Sequence, residues 1–267
     1  MPQTITLFIP CFVDQFVPEV AADMVTVLRR LGYELRYPEE QTCCGQPAFN
    51  AGFWDEARPL AERFVRVFRL AETIVCPSGS CTTMVRCFYP ELLSSSPLRG
   101  EVAALGKRVF EFSEFLVDVA KVSDVGATFP HKVAYHDSCH LLRELNIRQQ
   151  PRELLRHVKG LELVELNRSD ECCGFGGMFA VKFPEISGAM GDVKAGHVEA
   201  SGVDFVAACD PSCLLHMEGI LRRKGARVRT IHLASILASP AAATTDRAGQ
   251  AGTAQPAMAA PGDEGGR

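Results

Sequence analysis

The sequence predicts an α/β protein built from two duplicated Rossmann-like domains, each with a parallel sheet, related by pseudo-two-fold symmetry. Three observations lead to this prediction. Four blocks of the chain recur in the same order, three of them at a nearly constant distance of 128 to 132 residues and the fourth at 121. Short β-rich segments alternate with helical segments in each copy, which is the order of a parallel α/β sheet. The cysteines of both copies follow the predicted strands.

The repeat consists of four pairs of matching segments. They are ITLFIPC and KVAYHDSC (5–11 and 132–139), YELRYPEEQTCCGQPAF and LELVELNRSDECCGFGGMF (33–49 and 161–179), AETIVCPSGSC and VDFVAACDPSC (71–81 and 203–213), and VFEFSEFL and TIHLASIL (109–116 and 230–237). The period is much longer than a solenoid repeat, so it indicates whole domains. We predict one domain over residues 1–122 and a second over residues 130–239.

In the first half, strands are predicted over three short segments, namely Thr4–Ile9, Tyr33–Tyr37 and Thr73–Val75. A helix is predicted over 17–31, because its apolar residues recur at spacings of three, four and seven. Gly32 is expected to end that helix. A second helix is predicted over 57–68, where Pro59 marks its start or a kink. The second half follows the same order.

The remaining 28 residues, 240–267, have a different composition. Seventeen of them are Ala, Pro or Gly, and none is Leu, Ile, Val or aromatic. Such a segment cannot bury enough apolar surface to offset the entropy of ordering it. We predict that this tail is disordered.

Composition and charge exclude several classes of partner and location. The chain is 47% hydrophobic and 22% charged, with a net charge of −4, so it has no basic field to hold nucleic acid or an anionic membrane. The amino terminus lacks the features of a signal peptide, and no apolar stretch approaches the roughly 18 residues of a spanning helix. These features predict a cytoplasmic protein with no integral membrane segment and no nucleic-acid partner.

The sequence contains eleven cysteines, which are expected to stay reduced in the cytoplasm. Four in each half directly follow predicted strands, and these are Cys11, Cys43, Cys44 and Cys81 in the first half and Cys139, Cys172, Cys173 and Cys213 in the second. In an open parallel sheet, the loops after the strands converge at the carboxyl edge, where ligands bind. Each set of four thiols is therefore predicted to meet in one pocket.

Two adjacent cysteines precede a glycine in each half, at Cys43–Gly45 and at Cys172–Gly174. Neighbouring side chains on an extended strand point to opposite faces. Both thiols can serve one site only if the backbone turns sharply, and the glycine allows that turn.

Metal or cluster ligation is preferred over two other interpretations of these cysteines. Buried apolar packing does not explain eight cysteines in two matching frames, and disulfides are unusual in the cytoplasm. Structural zinc sites favour close C-x2–4-C pairs; this sequence has no C-x2-C pair and only the looser spacings Cys209-x3-Cys213 and Cys76-x4-Cys81. A dispersed set with an adjacent pair suits a polynuclear iron–sulfur cluster better. A zinc-stabilised interaction scaffold is kept as an alternative.

The segments PCFVDQF, EEQTCCGQPAFNAG, PSGSC, HDSCH and ECCGFGG resemble the cysteine-rich CCG domain. Two copies in a chain of this length are similar to the lactate utilization protein A family, and the resemblance covers residues 4–237. The same domain occurs in one subunit of heterodisulfide reductase and in iron–sulfur subunits of glycolate and anaerobic glycerol-phosphate oxidoreductases.

The resemblance implies the iron–sulfur subunit of an oxidoreductase complex that oxidises L-lactate to pyruvate. Its implied partners are a ferredoxin-type iron–sulfur subunit and a further lactate utilization subunit. By position, the implied ligands of one cluster per domain are Cys11, Cys43, Cys44, Cys81, Cys139, Cys172, Cys173 and Cys213. The sequence has no dinucleotide- or nucleotide-binding motif, and a cluster cannot accept a hydride by itself. The chain is therefore not expected to oxidise lactate alone.

The sequence departs from the reductase pattern at the closing cysteine. In heterodisulfide reductase this element is C-x-x-C, which gives five thiolates to a non-cubane cluster. Here Cys76 precedes Cys81 by five residues, and Cys209 precedes Cys213 by four. Ligation and buried packing both remain open for these two extra cysteines, as do a [4Fe–4S] and a non-cubane cluster. The alternative functions are a heterodisulfide or thiol–disulfide reductase and the iron–sulfur subunit of a glycolate or glycerol-phosphate oxidoreductase.

Other candidate residues are less specific. His136, Asp137 and His140 flank Cys139, where they would orient a ligand, relay a proton or simply hydrogen-bond a loop. Packing or capping is expected for His216, with ligation as the alternative, and packing is expected for Cys87. The basic run at 221–229 is interpreted as a helix end, with docking to an acidic partner as the alternative.

Overall fold

The structure is a computed structural model that describes residues 3–240. It contains eight parallel strands in two four-stranded sheets, one in each half of the chain. Helices connect the strands, which confirms the predicted pair of α/β domains. The predicted disordered tail lies, from residue 241 onward, outside the described residues.

The first half alternates four strands with eight helices. Its strands are β1 (Thr4–Leu7), β2 (Glu34–Arg36), β3 (Ile74–Cys76) and β4 (Val109–Glu111). Its helices are α1 (Cys11–Phe16), α2 (Pro18–Arg30), α3 (Gln46–Asn50), α4 (Trp54–Phe68), α5 (Gly79–Thr83), α6 (Tyr89–Leu92), α7 (Arg99–Gly106) and α8 (Phe112–Glu114). Two segments have π-helical hydrogen bonding, Met84–Phe88 and Phe115–Val119.

The second half repeats this order with fewer helices. Its strands are β5 (Lys132–Tyr135), β6 (Glu162–Val164), β7 (Phe205–Ala208) and β8 (Arg229–His232). Its helices are α9 (Cys139–Arg143), α10 (Gln149–Arg156), α11 (Met178–Lys182), α12 (Pro184–Ala200), α13 (Pro211–Arg223) and α14 (Leu233–Ala238).

Strand order is the same in the two sheets, β2-β1-β3-β4 and β6-β5-β7-β8. The first strand of each half is an inner strand of its sheet. The second strand is added on one side of it, and the third and fourth are added on the other, so the direction in which the sheet grows reverses at this strand. That switch point is where open α/β sheets bind ligands at the carboxyl ends of the strands. The fold therefore directs the loops after β1 and β3, and after β5 and β7, toward the same kind of site.

Helix boundaries follow from local sequence. The predicted helix over 17–31 begins at Pro18, which is tolerated in a first helical turn, and it ends at Arg30 before Gly32. Gly32 has a φ of +85°, the left-handed conformation that favours glycine after a helix. Pro59 lies inside α4, so it does not mark the start of that helix.

One apolar cluster is shared by both halves. Buried side chains of α2, such as Val27, pack in the same cluster as Leu154 of α10 and Leu237 of α14. The guanidinium of Arg30 donates to the backbone oxygens of Val125 and Leu237 at 3.0 and 3.1 Å. Each half has a further cluster of its own on the other side of its sheet. The shared cluster fixes the two halves against each other.

Within residues 3–240, no helix combines the length and the apolar character needed to cross a membrane.

Candidate metal centre

A single cavity is lined by cysteines from both halves, and its lining includes every one of the eight predicted ligands. These are Cys11, Cys43, Cys44, Cys81, Cys139, Cys172, Cys173 and Cys213. The cavity leaves about 140 Å³ for the centres of water-sized molecules. The fold therefore brings together thiols that are up to 202 residues apart in sequence, from Cys11 to Cys213.

Three elements position the first set of thiols. Cys11 is the first residue of α1, the doublet Cys43–Cys44 precedes α3, and Cys81 lies in α5. The Sγ atoms of Cys44 and Cys81 are 3.6 Å apart. Cys43 interacts with both Cys11 and Cys44, so the four thiols form one continuous group.

The second set has the same arrangement. Cys139 is the first residue of α9, Cys172 and Cys173 lie in the loop before α11, and Cys213 lies in α13. Cys172 interacts with Cys139 and Cys173, and Cys173 interacts with Cys213. Pairwise contacts between thiols thus follow the same order in both sets.

Glycine makes the turn at each doublet, as the sequence predicted. Gly45 and Gly174 have φ values of +84° and +90°. Their amides donate to the Sγ atoms of Cys43 and Cys172, at 3.4 Å in each case. At Gly174 the fit is closer, because a Cβ there would lie 2.6 Å from the oxygen of Ser187. These turns let both thiols of a doublet face one site.

One thiol in each set is strongly acidic. A hydrogen bond from the Cys11 thiol, followed by one from Cys44, lowers the pKa of Cys43 to about 3. Hydrogen bonds from Cys139 and then Cys173 lower the pKa of Cys172 to about 2. In each set, the thiol at the middle of the group is therefore the one that ionises most readily.

The neighbouring thiols behave in the opposite way. Their hydrogen bonds to the adjacent thiolate, together with burial, raise the pKa of Cys11, Cys44, Cys139 and Cys173. Cys213 is different, because a hydrogen bond from Cys173, and after it the nearby His136, lower its pKa to about 7. Four thiols packed this closely can all ionise only when a positive metal centre balances their charge. The donor set therefore fits a metal ion or an iron–sulfur cluster in each half.

Asp210 joins the two sets. It occupies the N-cap position of α13, yet its carboxylate accepts hydrogen bonds from the first half, from Ser80 Oγ at 2.7 Å and Ser78 Oγ at 3.0 Å. The amide of Ser80 also donates to it at 3.2 Å. Burial raises the pKa of Asp210, although its bonds with Ser80 oppose that shift. This contact fixes the loop before Cys81 against the loop before Cys213.

The two extra cysteines do not occupy matching positions. Strand register pairs Thr6 with Ile74 and Ala134 with Val206, so the counterpart of Cys76 is Ala208. Both extra thiols are buried outside the cavity lining. Cys76 Sγ contacts the oxygen of Ser78 at 3.6 Å, and Cys209 Sγ accepts a hydrogen bond from Tyr135 Oη at 3.3 Å. Their surroundings favour packing over ligation.

Of the less specific candidates named from the sequence, some lie at the cavity and others pack elsewhere. Asp137 is buried in an ion pair with Arg152 at 2.7 Å, which occupies its carboxylate. His140 lines the cavity, with Nδ1 at 3.8 Å from Cys139 Sγ. His216 packs against the ring of Phe175 with centroids 6.0 Å apart. Cys87 is half-buried near the oxygen of Glu144.

The basic run at 221–229 spans the end of α13, which stops at Arg223 ahead of Gly225 with a φ of +70°. Lys224 pairs with Glu199 at 2.9 Å. These contacts agree with the prediction of a helix end.

His136 is the candidate that the structure groups with two cysteine sulfurs of the second set. One of its ring nitrogens and the Sγ atoms of Cys173 and Cys213 lie within 4.8 Å of one another. The sequence offered only its proximity to Cys139. The roles of Asp210 and of the buried Lys194 gave no sequence signal, since both depend on contacts across loops.

Comparison with known proteins agrees with the repeat. The cysteine-rich domain family, CCG, matches residues 5–86 and 133–218. In structure, the chain is similar to a hypothetical protein from Helicobacter pylori, with a TM-score of 0.56 and 13% identity. That similarity covers 89% of this chain and 48% of the other, and it concerns the fold alone.

Curated relatives are much closer in sequence. The chain is 43% identical over 234 residues to lactate utilization protein A of Geobacillus kaustophilus (strain HTA426), covering 87% of this chain and 98% of that protein. It is also 43% identical over 236 residues to lactate utilization protein A of Bacillus subtilis (strain 168), covering 88% and 99%. With two CCG domains and relatives matched over nearly their full length, the chain belongs to the lactate utilization protein A family.

Proposed function

We propose that each half of the chain holds one iron–sulfur cluster through its four cavity cysteines. The observation that carries the proposal is the matched geometry of the two sets, which meet in one cavity. Iron–sulfur clusters are held by cysteine thiolates, four for a [4Fe–4S] cluster. When bound, such a cluster supplies one-electron transfer, and this chain's cysteines hold it.

In this proposal, the chain is the iron–sulfur subunit of a complex that oxidises L-lactate to pyruvate. The names of its relatives support lactate as the substrate. Oxidation of L-lactate to pyruvate releases two electrons and two protons, and two one-electron centres match that pair of electrons. The hydride leaves lactate on another subunit of the complex, because a cluster cannot accept it directly.

The proposed partners are a ferredoxin-type iron–sulfur subunit, which takes the electrons onward, and a further lactate utilization subunit. Phe12 and Phe175, one from each half, also line the cavity and pack edge to face with centroids 5.8 Å apart. A partner subunit can bind over such a partly apolar rim, and its binding would keep water from the clusters. We place the complex in the cytoplasm.

Metal content tests the first part of the proposal. The protein is purified without oxygen, and its iron, acid-labile sulfide and zinc are measured with its visible absorbance. We expect iron and sulfide for two clusters in each chain. A colourless protein that is fully loaded with zinc would exclude the iron–sulfur proposal and favour a zinc-stabilised scaffold.

Growth tests the second part. A strain without this gene is grown on L-lactate as sole carbon source, with and without the wild-type gene supplied on a plasmid. We expect loss of growth and its recovery by the wild-type gene but not by the variants Cys44→Ser or Cys173→Ser. Undiminished growth of a deletion strain that has no second copy would count against the lactate role.

A second candidate is reduction of a disulfide at the clusters. It is favoured by the fact that both sets line the same cavity, so that one small molecule can approach both. The reaction would use two electrons and two protons to convert one disulfide into two thiols. Anaerobic assays with a reduced viologen dye as donor and small disulfides as acceptors test it, and no dye oxidation above the rate without protein would exclude it.

A further inference from the structure

The two cysteine sets differ in the side chain that follows the first strand of each half. Phe8 follows β1, and His136 follows β5 at the corresponding position. Their amides make equivalent hydrogen bonds, from Phe8 to the oxygen of Val75 at 3.0 Å and from His136 to the oxygen of Ala207 at 2.8 Å. An aromatic hydrocarbon in the first half is thus replaced by an imidazole in the second.

A second difference lies on the long helix that packs against each doublet turn. Gly45 approaches Ala57 and Leu60 of α4, whereas Gly174 approaches Ser187 and Met190 of α12. Both pairs are 130 residues apart in sequence, so the helices correspond residue by residue. At that spacing, one helical turn further along, Phe64 corresponds to Lys194.

In the first half, the two corresponding residues form an apolar pair. The rings of Phe8 and Phe64 pack edge to face with centroids 4.8 Å apart. Both side chains are buried, in the same apolar cluster as Cys44 and Cys81. The first cysteine set is therefore backed by hydrocarbon at these two positions.

In the second half, both residues are polar and buried. His136 is 1% exposed, and neither of its ring nitrogens has a hydrogen-bond partner among residues 3–240. A buried imidazole N–H without an acceptor is destabilising. The sulfurs of Cys173 and Cys213 lie within 4.8 Å of one of these nitrogens, and the ring interacts with Cys213. A cluster held by these cysteines would place more sulfur beside the ring.

Lys194 is more fully buried still, with none of its surface exposed. Its Nζ donates to the backbone oxygens of Arg168 and Ser169, in the loop that leads to the cysteine doublet. Burial lowers the pKa of Lys194, and the negative charges of Glu171, Cys173, Asp170 and Cys172, in that order, oppose this shift. A buried ammonium group needs compensating negative charge, and a cluster held by thiolates adds to the charge that the two carboxylates supply.

We propose that the second cysteine set holds the centre of higher reduction potential, and that His136 and Lys194 set the difference between the two centres. This inference rests on the proposed iron–sulfur function. Reduction adds negative charge to a cluster, so a nearby cation and an N–H donor to sulfur stabilise the reduced form. Electrons would then pass from the first set toward the second.

The test is a redox titration of the anaerobically purified protein, followed by the electron paramagnetic resonance signals of the reduced clusters. We expect two reduction waves in the wild type, at two different potentials. Cys44→Ser, which keeps the second centre, should show only the wave of higher potential. His136→Phe and Lys194→Met should each lower the higher wave by at least tenfold in the equilibrium constant for reduction. That shift is about 59 mV for a one-electron couple.

Two further variants sharpen the result. His136→Gln keeps an N–H donor and should restore part of the lost potential. Lys224→Met removes a cation from the exposed end of α13 and should leave both waves in place. If His136→Phe loses iron from the second set, the reduction potential of Lys194→Met alone tests whether these buried residues raise the potential of the second centre.

Distinct outcomes separate this inference from the function on which it rests. A wild-type protein without iron and sulfide would contradict the iron–sulfur proposal itself. Two centres of equal potential, or a higher wave that stays unchanged in Lys194→Met with full iron, would overturn only the assignment of unequal potentials to His136 and Lys194.

Discussion

Asp210 of the second half accepts a hydrogen bond from Ser80 Oγ of the first half at 2.7 Å. Both residues lie within three positions of a cavity cysteine, Cys213 and Cys81. The carboxylate therefore connects the two cysteine sets through the backbone that carries them. The carboxylate is buried, with 2% of the residue exposed.

Asp210→Ala should destabilise the protein by about 2 to 4 kcal/mol, because it leaves three donors of the first half without their acceptor. Urea unfolding of the anaerobic protein measures this loss. Asp192→Ala is the matched control, since Asp192 is exposed on α12. If both variants lose the same small amount, the contact between the halves contributes no measurable stability.

Cysteine chemistry made the eight cavity residues predictable from sequence. Thiols that follow successive strands of a parallel sheet meet at one edge, so the repeated spacing was enough to group them. The Gly45 and Gly174 turns were predictable for the same reason, because only a turn lets adjacent side chains share a site. The turn itself is local, since it depends on the glycine that directly follows each doublet.

Features that depend on contacts between distant segments were not predictable from the sequence. The sequence offers Cys76 and Cys209 as a possible fifth thiol of each half, but strand register matches Cys76 with Ala208. The same register places Asp210 at the position of Ser78. Lys194 gave no sequence signal either, since a lysine in a helix is normally exposed, and its burial depends on backbone oxygens of a distant loop.

Cys44→Ser and Cys173→Ser should each lower the iron content by about half, because each thiol belongs to one set only. Iron analysis, together with the spectrum of the remaining cluster, measures the effect. Cys87→Ser and Cys209→Ala are controls outside the cavity lining and should keep full iron. Loss of iron in Cys209→Ala would instead assign Cys209 as a fifth ligand of the second set.

Because the carboxyl of Glu111 is buried, we expect the stability of the protein to fall as pH rises. Burial raises the pKa of this carboxyl from 4.5 to about 7, so the folded state binds its proton more tightly than the unfolded state does. The resulting stability is fully present below about pH 4.5 and is lost as pH rises through about 7, a change of roughly 3 kcal/mol.

Glu111→Gln should remove this dependence, so that the variant gains stability relative to the wild type between pH 5 and pH 8. The glutamine oxygen can still accept the hydrogen bond from the amide of Ser113, which is 2.8 Å long in the wild type. Unfolding in urea at the two pH values measures the difference. Parallel pH profiles for the two proteins would show that Glu111 does not titrate in this range.

His232 occupies the position in β8 that corresponds to Glu111 in β4. For this residue we expect the opposite pH dependence, a fall in stability as pH falls. Burial lowers the pKa of its imidazole from 6.5 to about 4. Stability from the neutral ring is present above about pH 6.5 and is lost as pH falls through about 4. His232→Asn keeps a side-chain acceptor for the amide of Ala234 and should be less sensitive to acid. Equal losses between pH 6.5 and pH 4 in variant and wild type would contradict this.

Gly174 and Gly45 give a graded test of the doublet turns. Both have left-handed backbone conformations, but a Cβ at Gly174 would lie 2.6 Å from the oxygen of Ser187, whereas one at Gly45 would lie 3.3 Å from the oxygen of Ala57. Gly174→Ala must therefore move the second doublet, and it should lose iron from that set. Gly45→Ala should lose less from the first.

Gly202→Ala separates backbone strain from displacement of the cysteines. Gly202 has a φ of +65°, and no atom would lie within 4 Å of an added Cβ. Alanine there costs about 1 to 2 kcal/mol of conformational strain without disturbing a cysteine. Iron analysis and urea unfolding of the three variants should show similar strain but iron loss only at the doublets. If Gly202→Ala lost as much iron as Gly174→Ala, general destabilisation rather than the position of Cys172 and Cys173 would explain the effect.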